Sequence, residues 1–154
     1  MVVDPRPAAF TKQATQWLQV LPGTDQALRL AHLLIEAGTF NREFLRQWTN
    51  APLLVRADSG RLLRQGDLEA GGSDTVFYGL GDGDRLVPYD AARGVWPEGS
   101  AGAALVGALH LKTLAGEVAC HTAFALYATV AAEWPPDRVA RVTGVAETVT
   151  FVRN

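Results

Sequence analysis

The sequence is poor in cysteine: Cys120 is the only one among 154 residues. One cysteine cannot form an internal disulfide, and by itself it cannot hold an iron–sulfur cluster or a thiolate zinc site. The three histidines, His32, His110 and His121, have no spacing typical of metal ligands. We expect each to be a satisfied or exposed side chain, and any redox centre to be supplied from elsewhere.

Long apolar runs and basic runs are also missing. No window approaches the roughly 20 apolar residues that cross a bilayer, and the opening residues 1–5 have neither the basic start nor the apolar core of a signal peptide. Lys and Arg total 14 against 16 Asp and Glu, a formal net charge of −2, with no stretch suited to a nucleic-acid backbone. We therefore expect a cytoplasmic protein without a membrane span or a nucleic-acid partner.

The composition that remains is typical of a globular domain, with 48% hydrophobic and 19% charged residues. Met1-Val2-Val3 predicts a short buried strand, and residues 17–21 alternate well enough for a second. From Gln26 onward, apolar residues recur at helical spacing until Gly38, which offers a stop. The first part of the chain is thus expected to run strand, strand, helix.

The rest of the chain begins with a helix capped by Asn41, with Phe44, Leu45 and Trp48 on its inner face. Short β-rich runs broken by glycine turns follow and predict strands at 53–55, 75–78, 85–87 and 105–111. Helical spacing returns over 122–134 and is ended by two prolines. A short helix at 138–142 and a strand at 148–152 complete the prediction.

Five blocks of this sequence match a known pattern in order and spacing. They are Val2-Val3-Asp4-Pro5-Arg6, residues 17–28 with Pro22-Gly23-Thr24-Asp25, residues 44–56, residues 58–64, and Arg141-Val142-Thr143-Gly144-Val145. Together they resemble an internal stretch of the large, catalytic subunit of a molybdopterin oxidoreductase of the dimethyl sulfoxide reductase family. Five blocks in register rarely arise by chance, whereas Pro-Gly-Thr-Asp alone would be weak evidence.

The resemblance implies an α/β fold built from partial Rossmann-like nucleotide-binding domains with a strand-rich insertion. Residues 1–38 would end a first dinucleotide-binding domain. Residues 39–154 would supply the returning part of a second one, with the β-rich insertion at about 52–118. Neither domain would be complete in this chain.

The resemblance also implies a cofactor, a molybdenum or tungsten bis(molybdopterin guanine dinucleotide) in the complete enzyme. The matched blocks contain neither the family's metal ligand nor its iron–sulfur motif, so we expect this chain to bind no cluster and to be inactive alone. Its expected partners are molybdopterin guanine dinucleotide and the remaining segments or an electron-transfer subunit of the parent enzyme, which could be periplasmic. The parent reaction would be oxygen-atom or electron transfer, or in a few relatives hydration or hydroxyl transfer.

The chemistry of guanine suits the first block. Guanine presents N1–H and N2–H₂ donors on one edge, and an ionised carboxylate accepts both as charge-assisted hydrogen bonds. Asp4 follows a predicted strand, at the end where open α/β sheets bind ligands, and Arg6 could face phosphate or stack on a ring. The resemblance carries Asp4, Pro5 and Arg6 over as dinucleotide contacts.

The second block places Gly23, Thr24 and Asp25 at the start of a predicted helix, where unpaired N–H groups and the helix dipole favour negative charge. Asp25 could cap its own helix, the common role of such a residue, or bind guanine or ribose. The resemblance carries Gly23, Thr24 and Asp25 over as dinucleotide contacts. It predicts that Asp4 and Asp25 converge on one purine edge.

The other candidates have simpler structural interpretations. Cys120 precedes a predicted helix, where a thiol can be reactive, but a buried structural cysteine is at least as common. Residues 79–84 lack the Lys-Ser/Thr of a phosphate loop and the final Glu of a calcium loop, and so predict a hairpin turn. We expect a solvated face for Arg56, Arg61 and Arg64, to which the resemblance assigns at most a structural or subunit-facing role. Trp17, Trp48, Trp96 and Trp134 are expected in core or half-buried positions.

The sequence is compatible with three functions. The chain could be part of a catalytic subunit, a stand-alone module that holds a guanine nucleotide through Asp4 and Asp25, or a structural or interaction protein that has lost the pocket. The third would leave an exposed apolar surface that favours self-association.

Overall fold

The computed structural model describes residues 2–7, 9, 11–15, 17–21, 27–97, 99 and 102–144, with the backbone alone for residues 27–29. These residues form mixed helices and sheets in two compact units, one within Met1–Phe40 and Ala128–Asn154 and the other Asn41–Tyr127. The expected α/β class is therefore confirmed. Gly23, Thr24, Asp25 and the strand predicted at 148–152 lie outside the described residues.

The first unit contains a pair of short parallel strands, β1 (Val2–Val3) and β2 (Trp17–Leu18). Val2 lies opposite Trp17, and Val3 opposite Leu18. Leu18 is buried, but Val3 is 44% exposed, so the expectation of a wholly buried first strand is wrong. Neighbouring side chains of a strand point to opposite faces, and here only one face of β1 is covered.

Two helices of the first unit end at a glycine, and the sequence predicts the first of these two stops. Helix α1 (Ala27–Glu36) is closed by Gly38, whose φ is 66°, and the N–H of Thr39 donates to the Leu34 carbonyl at 3.1 Å. A residue with positive φ that closes the last turn is the common helix stop, and glycine adopts it without strain. Helix α5 (Pro136–Thr143) starts with a proline and ends at Gly144, whose φ is 73°.

The second unit opens with α2 (Arg42–Trp48), and the Asn41 side chain caps it by accepting the Phe44 N–H at 2.9 Å. The predicted inner face of this helix is wrong for Phe44 and Trp48, which are 54% and 74% exposed, whereas Leu45 is half-buried. The side of α2 that faces the unit includes Arg46, whose Nε donates to the Ala103 carbonyl at 3.0 Å. That polar anchor turns the aromatic stripe toward solvent.

A three-stranded antiparallel sheet forms the centre of the second unit. Its order is β3 (Leu54–Arg56), β7 (Gly116–Thr122) and β6 (Ala108–Thr113), with β7 in the middle. The sequence predicted β3 and β6 approximately but missed β7. Cys120 lies in this central strand and is completely buried in a core with Leu54, Leu63, Leu80 and Val118.

A second sheet is the hairpin of β4 (Val76–Leu80) and β5 (Leu86–Asp90), paired from Val76–Asp90 to Leu80–Leu86. Residues 79–84 lead into its turn, so the hairpin prediction is confirmed. A one-turn helix, α3 (Gln65–Leu68), was not predicted. Helix α4 (Ala123–Ala132) follows β7 and matches the helix predicted over 122–134.

Candidate functional site at the carboxyl ends of the parallel strands

The carboxyl ends of β1 and β2 are tied together by three hydrogen bonds. The Asp4 N–H donates to the Leu18 carbonyl at 3.2 Å. The Trp17 indole Nε1–H donates to the Asp4 carbonyl at 2.9 Å, and the Gln19 Nε2 donates to the Pro5 carbonyl at 3.1 Å. Two blocks that are separate in the sequence thus meet at one sheet edge, the edge where open α/β sheets place ligands.

The Asp4 side chain helps to shape this end. Its Oδ1 accepts the backbone N–H of Arg6 at 2.7 Å, which closes a local turn around Pro5. Asp4 and Pro5 are half-buried, whereas Arg6 is exposed. A carboxylate offers about four lone-pair sites, so this turn leaves acceptor capacity for a ligand.

Beyond the strand ends lies a concavity of about 360 Å³, lined by Pro5, Gln19, Val20, Leu21, Thr143 and Gly144. The end of α5 forms one wall, because the Leu21 N–H donates to the Thr143 carbonyl at 2.8 Å. Apart from Pro5, these lining residues were not predicted as site residues. The available signal was the fifth matched block, which contains Thr143 and Gly144.

The structure therefore brings Asp4, Pro5 and Arg6 to the predicted sheet edge. Gly23, Thr24 and Asp25 lie outside the described residues, although they fall between Leu21, which lines the concavity, and the start of α1 at Ala27. The predicted convergence of Asp4 and Asp25 stays a prediction.

Comparison with known proteins identifies relatives of this chain. No protein-family model matches the chain. The dimethylsulfide dehydrogenase alpha subunit of Rhodovulum sulfidophilum is 33% identical over 159 aligned residues, which cover 89% of this chain and 16% of that relative. The putative dimethyl sulfoxide reductase catalytic subunit of Halobacterium salinarum is 45% identical over 65 residues, 41% of this chain and 8% of the relative. The perchlorate reductase alpha subunit of Dechloromonas aromatica is 42% identical over 65 residues, 41% of this chain and 7% of the relative.

This chain belongs to the dimethyl sulfoxide reductase family of molybdopterin oxidoreductases. The resemblance seen in the five blocks is thereby confirmed. The chain spans only 16% of the length of the Rhodovulum relative and less of the other two.

The chemistry of the strand-end residues suits an uncharged ring better than a phosphate group. The side chains that line the concavity carry no charge, and Asp4, the residue before Pro5, supplies a carboxylate acceptor in the same segment. Guanine offers donors on one edge and a flat apolar face, so such a lining suits it better than it suits a pyrophosphate. Arg6 follows Pro5 in the chain, and its side chain is exposed.

Metal ligation has no candidate in the described part of this family member, because no group of three or more His, Cys, Asp or Glu is placed to hold an ion there. His32 lies against Glu36, with Nε2 and Oε2 3.5 Å apart, and His110 is exposed on β6. Burial raises the pKa of the Cys120 thiol, which keeps it protonated and unreactive. Among the described helices, none is long and apolar enough to cross a membrane.

In the second unit, Arg56 belongs to a buried ionic cluster instead of the expected solvated face. Arg56 is only 6% exposed, and its guanidinium donates to Asp58 at 2.7 and 3.0 Å and also to Asp67. The hydrogen bond from Arg56 holds the pKa of Asp58 below its usual range. The expectation of a solvated face is therefore wrong for Arg56, because its position on β3 buries it against two carboxylates. Arg61 is exposed, as expected.

Proposed function

We propose that this chain contributes guanine-dinucleotide binding to the catalytic subunit of a molybdenum or tungsten bis(molybdopterin guanine dinucleotide) oxidoreductase. The observation that carries the proposal is the parallel pairing of β1 and β2, which brings Pro5, the residue after Asp4, together with Gln19 in the lining of one concavity. Parallel strands with ligand-binding carboxyl ends are the core of Rossmann-like folds. We also propose that the chain contains partial Rossmann-like nucleotide-binding domains with a strand-rich insertion.

Each site residue has a role that its chemistry supports. Asp4 accepts the N1–H and N2–H₂ donors of guanine, and the rigid φ of Pro5 holds the turn after it. Arg6 contacts phosphate or stacks on a ring. Gly23, Thr24 and Asp25 complete the site just before α1, where a helix N-terminus favours negative charge.

The domain assignment belongs to the same proposal. Residues 1–38 end one dinucleotide-binding domain, and residues 39–154 return into another, with the β-rich insertion at about 52–118. When bound, the cofactor supplies oxygen-atom or electron transfer at its metal. The residues of this chain bind and orient the nucleotide, and the chain alone is inactive because the metal ligand comes from elsewhere.

A base-exchange experiment tests the role of Asp4. Asparagine keeps an acceptor for the Arg6 N–H but replaces the second acceptor with a donor. Asp4→Asn should weaken binding of guanosine monophosphate roughly tenfold, the value of one charge-assisted hydrogen bond. It should at the same time improve binding of xanthosine monophosphate, whose C2 carbonyl matches the new donor. Isothermal titration calorimetry at high protein concentration measures both.

Adenosine monophosphate serves as the control ligand, and neither protein should prefer it. Circular dichroism establishes that the variant is folded. If the folded wild-type chain gives no heat with millimolar guanosine monophosphate, or if Asp4→Asn weakens all three nucleotides equally, the proposed function is wrong.

An interaction protein that has lost the pocket is the second candidate, and one observation favours it. The exposed aromatic stripe of α2, Phe44 and Trp48, is an apolar surface of the kind that mediates protein contacts. Self-association of the purified chain is its measurable consequence.

A further inference from the structure

The second unit has a groove of about 290 Å³ at the end of α2. Three aromatic side chains line it, Trp48, Tyr89 and Trp96, which are two of the four tryptophans and one of the three tyrosines in the chain. The carboxamides of Gln47 and Asn50 line it as well. We call this feature the aromatic groove, and none of the described residues proposed to contact the dinucleotide lines it.

The aromatic surfaces of the groove differ in how they are held. Trp96 is fixed by packing, because a Cβ on Gly79 would come within 3.0 Å of its indole, and its ring centroid is 5.0 Å from that of Tyr89. The planes of these two rings are inclined at 49°, so they form an angled surface and not the parallel-walled slot that holds a flat base. Trp48 is 74% exposed and leaves most of its indole accessible to a ligand.

The carboxamides of the groove can both donate and accept hydrogen bonds. The Nε2 of Gln47 donates to Glu43 Oε1, which leaves the Gln47 carbonyl oxygen and a second N–H for a ligand. Asn50 is exposed, and its carboxamide offers the same pair of groups. Because a hydroxyl group is both a donor and an acceptor, one carboxamide can bind two neighbouring hydroxyls of a ligand.

Charge and size restrict the class of ligand. No charged side chain of the described residues lines the groove, and Arg93 and Asp90, which adjoin lining residues in the chain, are paired with each other, with Nε and Oδ2 3.6 Å apart. An anion would lose hydration there without gaining an opposite charge. The volume is just below the usual range for small-molecule sites, roughly 300–1,000 Å³, which favours a single small ligand over a peptide segment.

We propose that the aromatic groove binds an uncharged pyranoside, a sugar in its closed-ring form. A pyranoside has an apolar face of C–H groups and a rim of hydroxyl groups. The C–H face lies on the indole of Trp48, whose large apolar surface it covers, and Gln47 and Asn50 bind the hydroxyl groups. This site is independent of the proposed dinucleotide contacts, because it uses other residues of the other unit.

NMR of the indole N–H groups of the full chain tests the proposal, because each of the four tryptophans gives its own signal. Methyl β-glucopyranoside is the probe, and tryptophan-to-phenylalanine variants assign the signals. At millimolar concentrations the probe should shift the signals of Trp48 and Trp96 along one saturable curve. Trp17 and Trp134 belong to the first unit and should not shift. A low protein concentration limits contacts between copies of the chain, which would compete for Trp48.

Two substitutions test the roles of the lining side chains. Trp48→Leu should weaken binding roughly fivefold, the value of one aromatic contact, as measured from the remaining Trp96 signal. Asn50→Ala should weaken it by a similar factor through lost hydrogen bonds. Phe44→Leu is the matched control and should leave the affinity unchanged, because Phe44 is an exposed aromatic residue of the same helix that does not line the groove. Circular dichroism establishes that each variant is folded.

Sorbitol, adenosine and tetramethylammonium are the comparison ligands, and each should bind more weakly than the pyranoside. Sorbitol has hydroxyl groups but no ring face, adenosine has a flat base, and tetramethylammonium is a cation of the kind that aromatic faces attract. If any of the three shifts Trp48 and Trp96 as strongly as the pyranoside does, the proposal is wrong. It is also overturned if the pyranoside gives no saturable shift on the folded chain, if Trp48→Leu or Asn50→Ala leaves the affinity unchanged, or if Phe44→Leu weakens binding as much as Trp48→Leu.

Discussion

At the scale of single residues, Arg56 is the side chain on which the second unit depends most. It lies on β3 opposite Cys120 of the central strand and is almost completely buried. Its two carboxylate partners come from different places: Asp58 from the turn after β3, and Asp67 from α3, where it also accepts the Arg64 N–H at 2.9 Å. One guanidinium therefore joins a strand, a turn and a helix.

Arg56→Met should lower the free energy of unfolding by about 3 kcal/mol, because it removes one member of a buried ionic cluster and leaves Asp67, whose side chain is 20% exposed, without its cation. Arg61→Met, an exposed change in the same segment, should alter it by about 0.5 kcal/mol or less. Urea denaturation followed by fluorescence measures both. Equal losses in the two variants would contradict the central role of Arg56.

At the scale of elements, the hairpin β4–β5 depends on a glycine. Gly79 lies where a Cβ would come within 3.0 Å of the Trp96 indole and 3.1 Å of the Pro52 carbonyl. The indole in turn packs against Tyr89 of β5, with ring centroids 5.0 Å apart. Because Gly79 has no side chain, the Trp96 indole can pack directly against β4.

Gly79→Ala should therefore destabilise the chain by about 1–3 kcal/mol, the usual cost of overpacking. Gly102→Ala is the matched control, because a Cβ there would meet only the end of the Arg85 side chain at 3.6 Å. Thermal unfolding by circular dichroism compares them. A wild-type midpoint for Gly79→Ala would show that Trp96 can shift without cost.

The elements also show how far the sequence could predict the fold. Helix α1 and the β4–β5 hairpin are marked by local signals, apolar spacing with a glycine stop in one case and a glycine-rich turn in the other. Strand β7 has a weak hydropathy signal, because Thr122 is one of its buried residues and is satisfied by donating to the Leu105 carbonyl at 2.6 Å. It is a strand because β3 and β6 pair with both its edges, which a local pattern does not reveal.

The site was predictable to the same extent. A strand end followed by an acidic residue is a local pattern, so the sequence could point to Asp4 and Pro5, of which Pro5 lines the concavity. Thr143 and Gly144 come from far along the chain, and the Thr143 carbonyl accepts a backbone hydrogen bond from Leu21. The helical pattern of α2 likewise could not show that its aromatic stripe has no cover in the described second unit.

At the scale of the whole molecule, the second unit has a concavity of about 380 Å³ in addition to the uncovered stripe on α2. Its lining is mainly apolar and includes Leu45, Ala123, Phe124 and Tyr127. Phe44, Trp48 and Tyr127 are all at least 46% exposed, and exposed apolar surface of this kind favours protein contacts. The matched region makes up only 16% of the length of the Rhodovulum relative.

The purified chain has only copies of itself to cover this surface, so we expect its weight-average mass to rise with concentration in sedimentation equilibrium. Trp48→Glu should return the chain toward a monomer, because a charge that becomes buried at an apolar contact opposes association. Leu114→Glu changes a solitary surface residue, 62% exposed on the turn between β6 and β7, and should leave association intact. A wild-type chain that stays monomeric at every concentration, or equal effects of the two variants, would mean that the stripe on α2 does not attract other protein surfaces, and the interaction-protein candidate would lose its support.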